Sequence, residues 1–172
     1  DRMVPDLPLT LDGMAYMVDA THNLMDYPEQ ISLENDYHII RWLQENVQGS
    51  SAIVEGRSAA SEYRWNGRIA INTGLPSVLG WNFHQKQQRT FDPLPVLVDQ
   101  REANIKTLYN TSDVAVAVDI LRHYGVRYLI VSDMEIAQTS DDGLAKFDTM
   151  VTQGLLSIAF ERGDARVYEV DQ

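Results

Sequence analysis

The stretch Asp113–Val131 limits the possible folds more than any other part of the chain. Val114, Ala117, Val118, Leu121 and Tyr124 recur at helical spacing and give a helix over Asp113–Tyr124 one apolar face. Asp113 stands near its positive end, and Arg122 and His123 near its negative end, as the helix dipole prefers. Gly125 then supplies the left-handed residue that stops a helix. Val126–Val131 (V-R-Y-L-I-V) follows as a buried central strand. A helix, a glycine stop and a buried strand form half of a parallel α/β unit.

The flanking sequence extends this unit. A helix capped by Asp36 is expected to run to about Asn46, with Ile39, Ile40, Leu43 and Val47 on one stripe and Gly49 as its stop. Ser51–Glu55 reads as a short buried strand, 57–67 as a polar loop, and Arg68–Asn72 as a second strand. Thr73-Gly74-Leu75-Pro76 is turn chemistry. His84–Arg89 is expected to form a short polar helix, broken by Asp92–Pro95, and Asp99–Tyr109 a further helix, with Asn110, Thr111 and Ser112 offering a cap. Asp141–Val151 reads as another helix. Leu155–Glu161 and Ala165–Val170 read as two strands of an antiparallel hairpin at the sheet edge, turned at Arg162-Gly163-Asp164. The fold class is therefore α/β and layered, with flanking helices and a mixed, largely parallel sheet of about five strands. Residues 1–32, interrupted by Pro5, Pro8 and Pro28, read as an irregular lead-in draped over a single domain at 33–172.

Composition excludes several classes. A chain of 172 residues, 44% hydrophobic and 23% charged, can bury one sizeable core. It has no cysteine, so thiol catalysis, disulfides and cysteine–zinc sites are ruled out. No apolar run reaches the ~20 residues of a membrane helix. The first residue is Asp1 and no signal peptide is visible, so the chain reads as a fragment of a longer protein. The net charge of −11 argues against nucleic acid as a partner, because phosphate backbones need a basic footprint. There is no P-loop, dinucleotide fingerprint or nucleophile elbow, and no cofactor is expected. His22, His38, His84 and His123 are scattered without metal-ligand spacing, and no metal is expected. Asp133-Met134-Glu135 reads as a solvated turn after the central strand, and Asp141-Asp142 as a helix start.

One segment departs from the acidic background. Between Gly56 and Phe91 stand Arg57, Arg64, Arg68, Lys86 and Arg89 against the single acid Glu62. Two readings stand side by side. The basic residues pair with acids elsewhere in the domain, or they bind an anionic ligand such as a phosphate, which arginine clamps at two points. The same segment carries Tyr63, Trp65 and Trp81 among polar residues. Such rings either anchor a core or stack on the apolar faces of sugars, and loops near strand ends are where α/β domains bind ligands.

A succession of short motifs resembles a known family. Leu11-Asp12-Gly13-Met14-Ala15-Tyr16-Met17 is followed by Asp36-Tyr37, Ile40-Arg41-Trp42-Leu43 and Ile53-Val54-Glu55. Tyr63, Asn66-Gly67-Arg68-Ile69, Thr73-Gly74-Leu75-Pro76-Ser77-Val78-Leu79-Gly80-Trp81 and His84 come next. Thr107-Leu108-Tyr109-Asn110-Thr111, Tyr124-Gly125-Val126-Arg127-Tyr128-Leu129-Ile130-Val131 and Gly143-Leu144-Ala145-Lys146-Phe147 close the series. In order, and over nearly the whole chain, these are similar to the C-terminal region of the YYY-type polytopic membrane proteins of Chloroflexi and archaea. That family looks like the C-type membrane glycosyltransferases, which use lipid-phosphate-linked sugars outside the cytoplasmic membrane. The resemblance implies a parent held in the cell membrane, an extracytoplasmic position for this domain, and acidic catalytic residues in loops between membrane helices not present here. It points to Glu55, Tyr63, Asn66, Arg68, Trp81, His84 and Arg89 as the substrate-facing residues. The family pattern near His84 is often His-Glu. Here Gln85 follows, which removes a possible acid or base.

Three functions follow as expectations. In the first, the domain helps bind a lipid-phosphate-linked sugar or acceptor for a membrane glycosyltransferase and is not catalytic alone. Changing Arg68 or Arg89 to Ala should then weaken polyprenyl-phosphate or sugar-phosphate binding with little change in Tm. In the second, the domain is purely structural or interacting, and Leu79, Trp81 and Phe83 touch the membrane-spanning part of the same parent. In the third, it is a freestanding enzyme, for which the sequence lacks a complete catalytic set.

Overall fold

The computed structural model describes residues 10–24, 30–57 and 65–171. A 3-10 turn at Ala15–Val18 precedes β1 (Thr21–Asn23) and β2 (Gln30–Ser32), which pair antiparallel as a small separate ribbon. Then come α1 (Glu34–Asn46), β3 (Ala52–Val54), α2 (Arg68–Thr73), α3 (Asn82–Gln88), α4 (Leu94–Asn110) and α5 (Val114–His123). The remaining elements are β4 (Val126–Val131), α6 (Asp133–Gln138), α7 (Asp141–Thr152), β5 (Leu156–Arg162) and β6 (Ala165–Val170).

The main sheet has four strands in the order β3-β4-β6-β5. The expected five-stranded, largely parallel sheet is corrected here: β3 and β4 run parallel, while β4–β6 and β6–β5 are antiparallel. One reading supplied the surplus strand: Arg68–Asn72 is not a strand but the helix α2. The antiparallel hairpin lies at the sheet edge as expected. Its second strand, β6, takes the inner place beside β4 and leaves β5 outside.

Strand alternation sorts the core into two layers, one on each face of the sheet. Val54, Leu129, Val131, Tyr168 and Val170 point to one side, where α4, α5 and α7 bring Ile105, Leu108, Leu121, Phe147 and Met150. Ile53, Ile130, Ala165 and Val167 point to the other, against Ile39, Ile40 and Leu43 of α1, Ile69 of α2 and Met134 of α6. The lead-in is part of this second layer: Met17, Leu24 and Ile31 are all buried in it. The α5–β4 unit forms as its sequence indicates. Asp113 caps α5 by accepting from Ala115 N–H at 2.8 Å, and Gly125 makes the turn at φ 59°. The cap is thus Asp113 itself rather than the preceding Asn110–Ser112. Tyr109 reaches from α4 between the parallel strands, and its hydroxyl donates to Ile130 O at 2.7 Å.

Asp133–Glu135 is not a solvated turn. It opens α6, and Glu135 is 1% exposed. The Ser132-x-x-Glu135 spacing has the form of a capping box, and Glu135 Oε2 accepts from Ser132 N–H at 3.0 Å. No helix of the described residues is long and apolar enough to cross a membrane.

Candidate functional site

The seven candidate residues fall into two groups, apart from Tyr63, which lies outside the described residues. Glu55 leaves β3 and Arg68 opens α2, and the two meet in the interior. Asn66, Trp81, His84 and Arg89 lie toward α3.

Arg68 is 2% exposed. Its Nε–H donates to Asp36 Oδ2 at 2.7 Å, one Nη to Glu55 Oε2 at 3.2 Å and Glu135 Oε1 at 3.1 Å, and the other to Asp36 Oδ1 at 3.0 Å and Glu135 Oε2 at 2.8 Å. A guanidinium has five N–H donors, and carboxylates take all of them. Nothing remains for the two-point phosphate clamp that the sequence suggested for Arg68. Displacing a carboxylate to make room would leave a buried negative charge bare, which costs several kcal/mol. Burial opposes the Arg68 charge, but Asp36, Glu135 and Glu55 outweigh it and hold the guanidinium firmly protonated. Because its five bonds are buried in the domain, Arg68→Ala is expected to lower the Tm rather than spare it.

Glu55, 2% exposed, faces this guanidinium and the start of α2 rather than solvent. Its oxygens accept from Ile69 N–H at 3.2 Å and Ala70 N–H at 3.1 Å. Burial drives its carboxyl up to about 7, against the opposing pull of Arg68. Two members of the cluster were not among the sequence candidates. By sequence Asp36 reads only as a helix cap and Glu135 as part of a turn, because nothing local marks a carboxylate as buried; Asp36 stands inside α1 instead. The capping-box spacing at Ser132 was the available signal for Glu135.

The second group is more open. Asn66 is buried, and its carbonyl accepts from Trp81 Nε1 at 2.8 Å, tying the approach to α2 to the start of α3. Trp81 meets His84 edge-on with ring centroids 6.2 Å apart. His84 lies 2.7 Å from Gln88 Nε2. Arg89 is exposed and donates to Gln85 Oε1 at 2.9 Å along the helix. Trp81, His84 and Arg89 thus share α3 and its ends, whereas Glu55 and Arg68 belong to the interior.

Internal pairing claims most of the described basic island. Arg57 is buried and donates to the carbonyl of Gly80, and Lys86 pairs with Asp99 on α4. Arg64 lies outside the described residues. The elbow between α3 and α4 also exposes large apolar side chains among its polar ones: Phe83 is 53% exposed, Phe91 81%, Val96 64% and Leu97 49%. Single exposed apolar residues are ordinary, whereas large contiguous apolar patches are associated with interaction sites.

No family model matches the chain, and no curated protein matches it. Among solved structures, it is similar to the C-terminal globular domain of an oligosaccharyltransferase from Archaeoglobus fulgidus, at 10% sequence identity and a TM-score of 0.47. The similarity covers 80% of this chain and 97% of that one.

Proposed function

We propose that this chain is the extracytoplasmic accessory domain of a membrane glycosyltransferase. It is not catalytic by itself, and it docks on the membrane-spanning part of its own parent through the α3–α4 elbow. The observation that carries the docking is the exposed apolar set Phe83, Phe91, Val96 and Leu97 on an otherwise acidic domain. The family resemblance of the sequence supplies the parent and its chemistry. The Arg68 cluster supports a non-catalytic role, because its charges are spent on holding elements together.

The substrate-facing role narrows accordingly to Trp81, His84 and Arg89. These residues lie beside the apolar elbow, so a lipid-phosphate-linked sugar would find a cation for its phosphate, rings for its sugar, and apolar side chains for its lipid. Glu55 and Arg68 contribute by fixing the loop rather than by touching the ligand. The purely structural reading is favoured by the same elbow if ligand is absent from it.

The test uses the full-length parent in membranes. A photo-crosslinking residue replaces Phe91, or replaces Ile158 on β5 as a control, since Ile158 is also exposed. Crosslinking from position 91 into the membrane-spanning part of the same chain, with none from 158, is the expected result. Equal crosslinking from both positions, or a parent gene without membrane spans, would overturn the docking. Arg89→Ala should weaken retention of a polyprenyl phosphate by the parent. Unchanged retention would leave the structural reading in its place.

A further inference from the structure

The Arg68 cluster fastens the residues that follow β3 and those that precede α2. After β3, Gly56 N–H donates to Glu135 Oε1 at 2.7 Å, and a Cβ at Gly56 would lie only 2.7 Å from Glu135 Cγ. Before α2, Trp65 Nε1 donates to Asp36 Oδ2 at 2.7 Å, and Arg68 begins the helix. Asp36, Glu55 and Glu135 share one guanidinium in the interior. With every group ionised, the cluster holds two negative charges in excess. Proteins relieve such buried excess charge by neutralising a group.

The three carboxylates are not held equally. Asp36 accepts two guanidinium bonds, at 2.7 and 3.0 Å, and the Trp65 indole as well. Glu135 accepts two more, at 3.1 and 2.8 Å, together with the N–H groups of Gly56 and Ser132. Glu55 receives one, at 3.2 Å, and two backbone N–H groups at 3.2 and 3.1 Å. Its ionised form therefore has the weakest support of the three.

We infer that the cluster is a proton-operated clamp on the joint between β3, α1, α2 and α6: one proton taken up at Glu55 removes part of the charge excess and tightens that joint, and its release loosens it. The surrounding groups set the balance. Arg68 on α2 favours ionised Glu55, whereas Glu135 on α6 opposes it. Across the guanidinium, Asp36 on α1 adds negative charge, as does the half-buried Asp133 at the start of α6. Tyr109 on α4, its phenol pushed up by burial first and by Glu135 second, stays neutral throughout. Burial is what drives the Glu55 carboxyl up, to about 7, with Arg68 and the amides of Ala70 and Ile69 pulling against it and Glu135 adding to it. The clamp belongs to the fold and stands whether or not the domain serves a glycosyltransferase.

The Trp65 indole N–H is a natural reporter, because it bonds to Asp36 within the cluster. His22 also stacks on Trp65, with centroids 5.8 Å apart, and histidine titrates in the same pH range. Three proteins are therefore compared by nitrogen–proton NMR: the native chain, Glu55→Gln and His22→Asn. Between about pH 5 and 9 the indole signal should move in the native chain and in His22→Asn, with a midpoint near 7, and stay still in Glu55→Gln. Buried Lys146 adds an opposing rise with pH, which Lys146→Met removes; in that background the Tm should fall on the order of 5–10 °C over the range, and adding Glu55→Gln should abolish the fall. A signal that does not move in the native chain, that stops moving in His22→Asn, or that still moves in Glu55→Gln would overturn the clamp. If Glu55→Gln does not fold, a flat Tm of Lys146→Met across the range overturns it equally.

Discussion

Replacing Arg68 by methionine removes the guanidinium around which Asp36, Glu55 and Glu135 are arranged, while leaving a side chain long enough to fill much of its space. The loss is not that of five hydrogen bonds counted singly. In the native protein the carboxylates are desolvated and compensated; in Arg68→Met they are desolvated and bare. Removing one partner of a buried ion pair typically costs about 3–5 kcal/mol for that reason. For a domain of this size each kcal/mol shifts Tm by about 2–4 °C, so the expected drop is roughly 6–20 °C. The variant should also be more sensitive to alkali than the native chain. Its buried carboxylates can escape their charge only by holding protons, so urea unfolding should show a larger stability loss near pH 8 than near pH 5. Arg68→Lys should recover only part of the loss, since a single ammonium cannot bridge three carboxylates as a planar fork does. A stability for Arg68→Met within about 1 kcal/mol of native at pH 8, by urea titration with an unchanged slope, would refute the reasoning.

Three further outcomes follow from single contacts. Lys146 is buried, donates to Tyr109 O at 2.9 Å and Gly143 O at 2.6 Å, and burial lowers its amine to about 7. A lowered folded value means stability that is complete above the unfolded value of 10.5 and is lost as pH falls toward 7, so stability should rise over that interval and Lys146→Met should abolish the rise in pH-dependent melting. A Cβ at Gly143 would lie 2.4 Å from Tyr109 O, so Gly143→Ala should destabilise by about 1–3 kcal/mol despite the better helix propensity of alanine; a raised Tm would contradict the close approach of α7 to α4. Asp113→Ala should cost about 1 kcal/mol by removing the cap of α5, measured by urea unfolding.

The parts of the fold legible in the sequence are those whose cause is local. Periodicity and a glycine stop gave α5 and β4, and the Arg162-Gly163-Asp164 turn gave the β5–β6 hairpin. Where the cause is distant, local reading failed. Ile69-Ala70-Ile71 looks like a strand by composition, yet the N–H groups of Ile69 and Ala70 donate to Glu55 just past β3 and start a helix. The placement of β6 inside the sheet is likewise a matter of which face each hairpin strand offers to β4, and no spacing records it. At the candidate site, pattern alone could group Glu55 with Arg68. It could not reveal that Asp36 and Glu135, far away along the chain, take up the same guanidinium. A charge written in a sequence looks solvated until its counter-charges are found.

The inner position of β6 has a consequence for how the domain comes into being. Made from its beginning on a ribosome, the chain emits β3 and β4 long before Ala165–Val170, yet β4 finds its second neighbour only in that late segment. Until then one side of β4 presents unpaired backbone, the kind of edge that invites pairing with another molecule. Cutting the chain before Ala165 would likewise remove a middle plank rather than an outer one, stranding β5 with nothing to lie against.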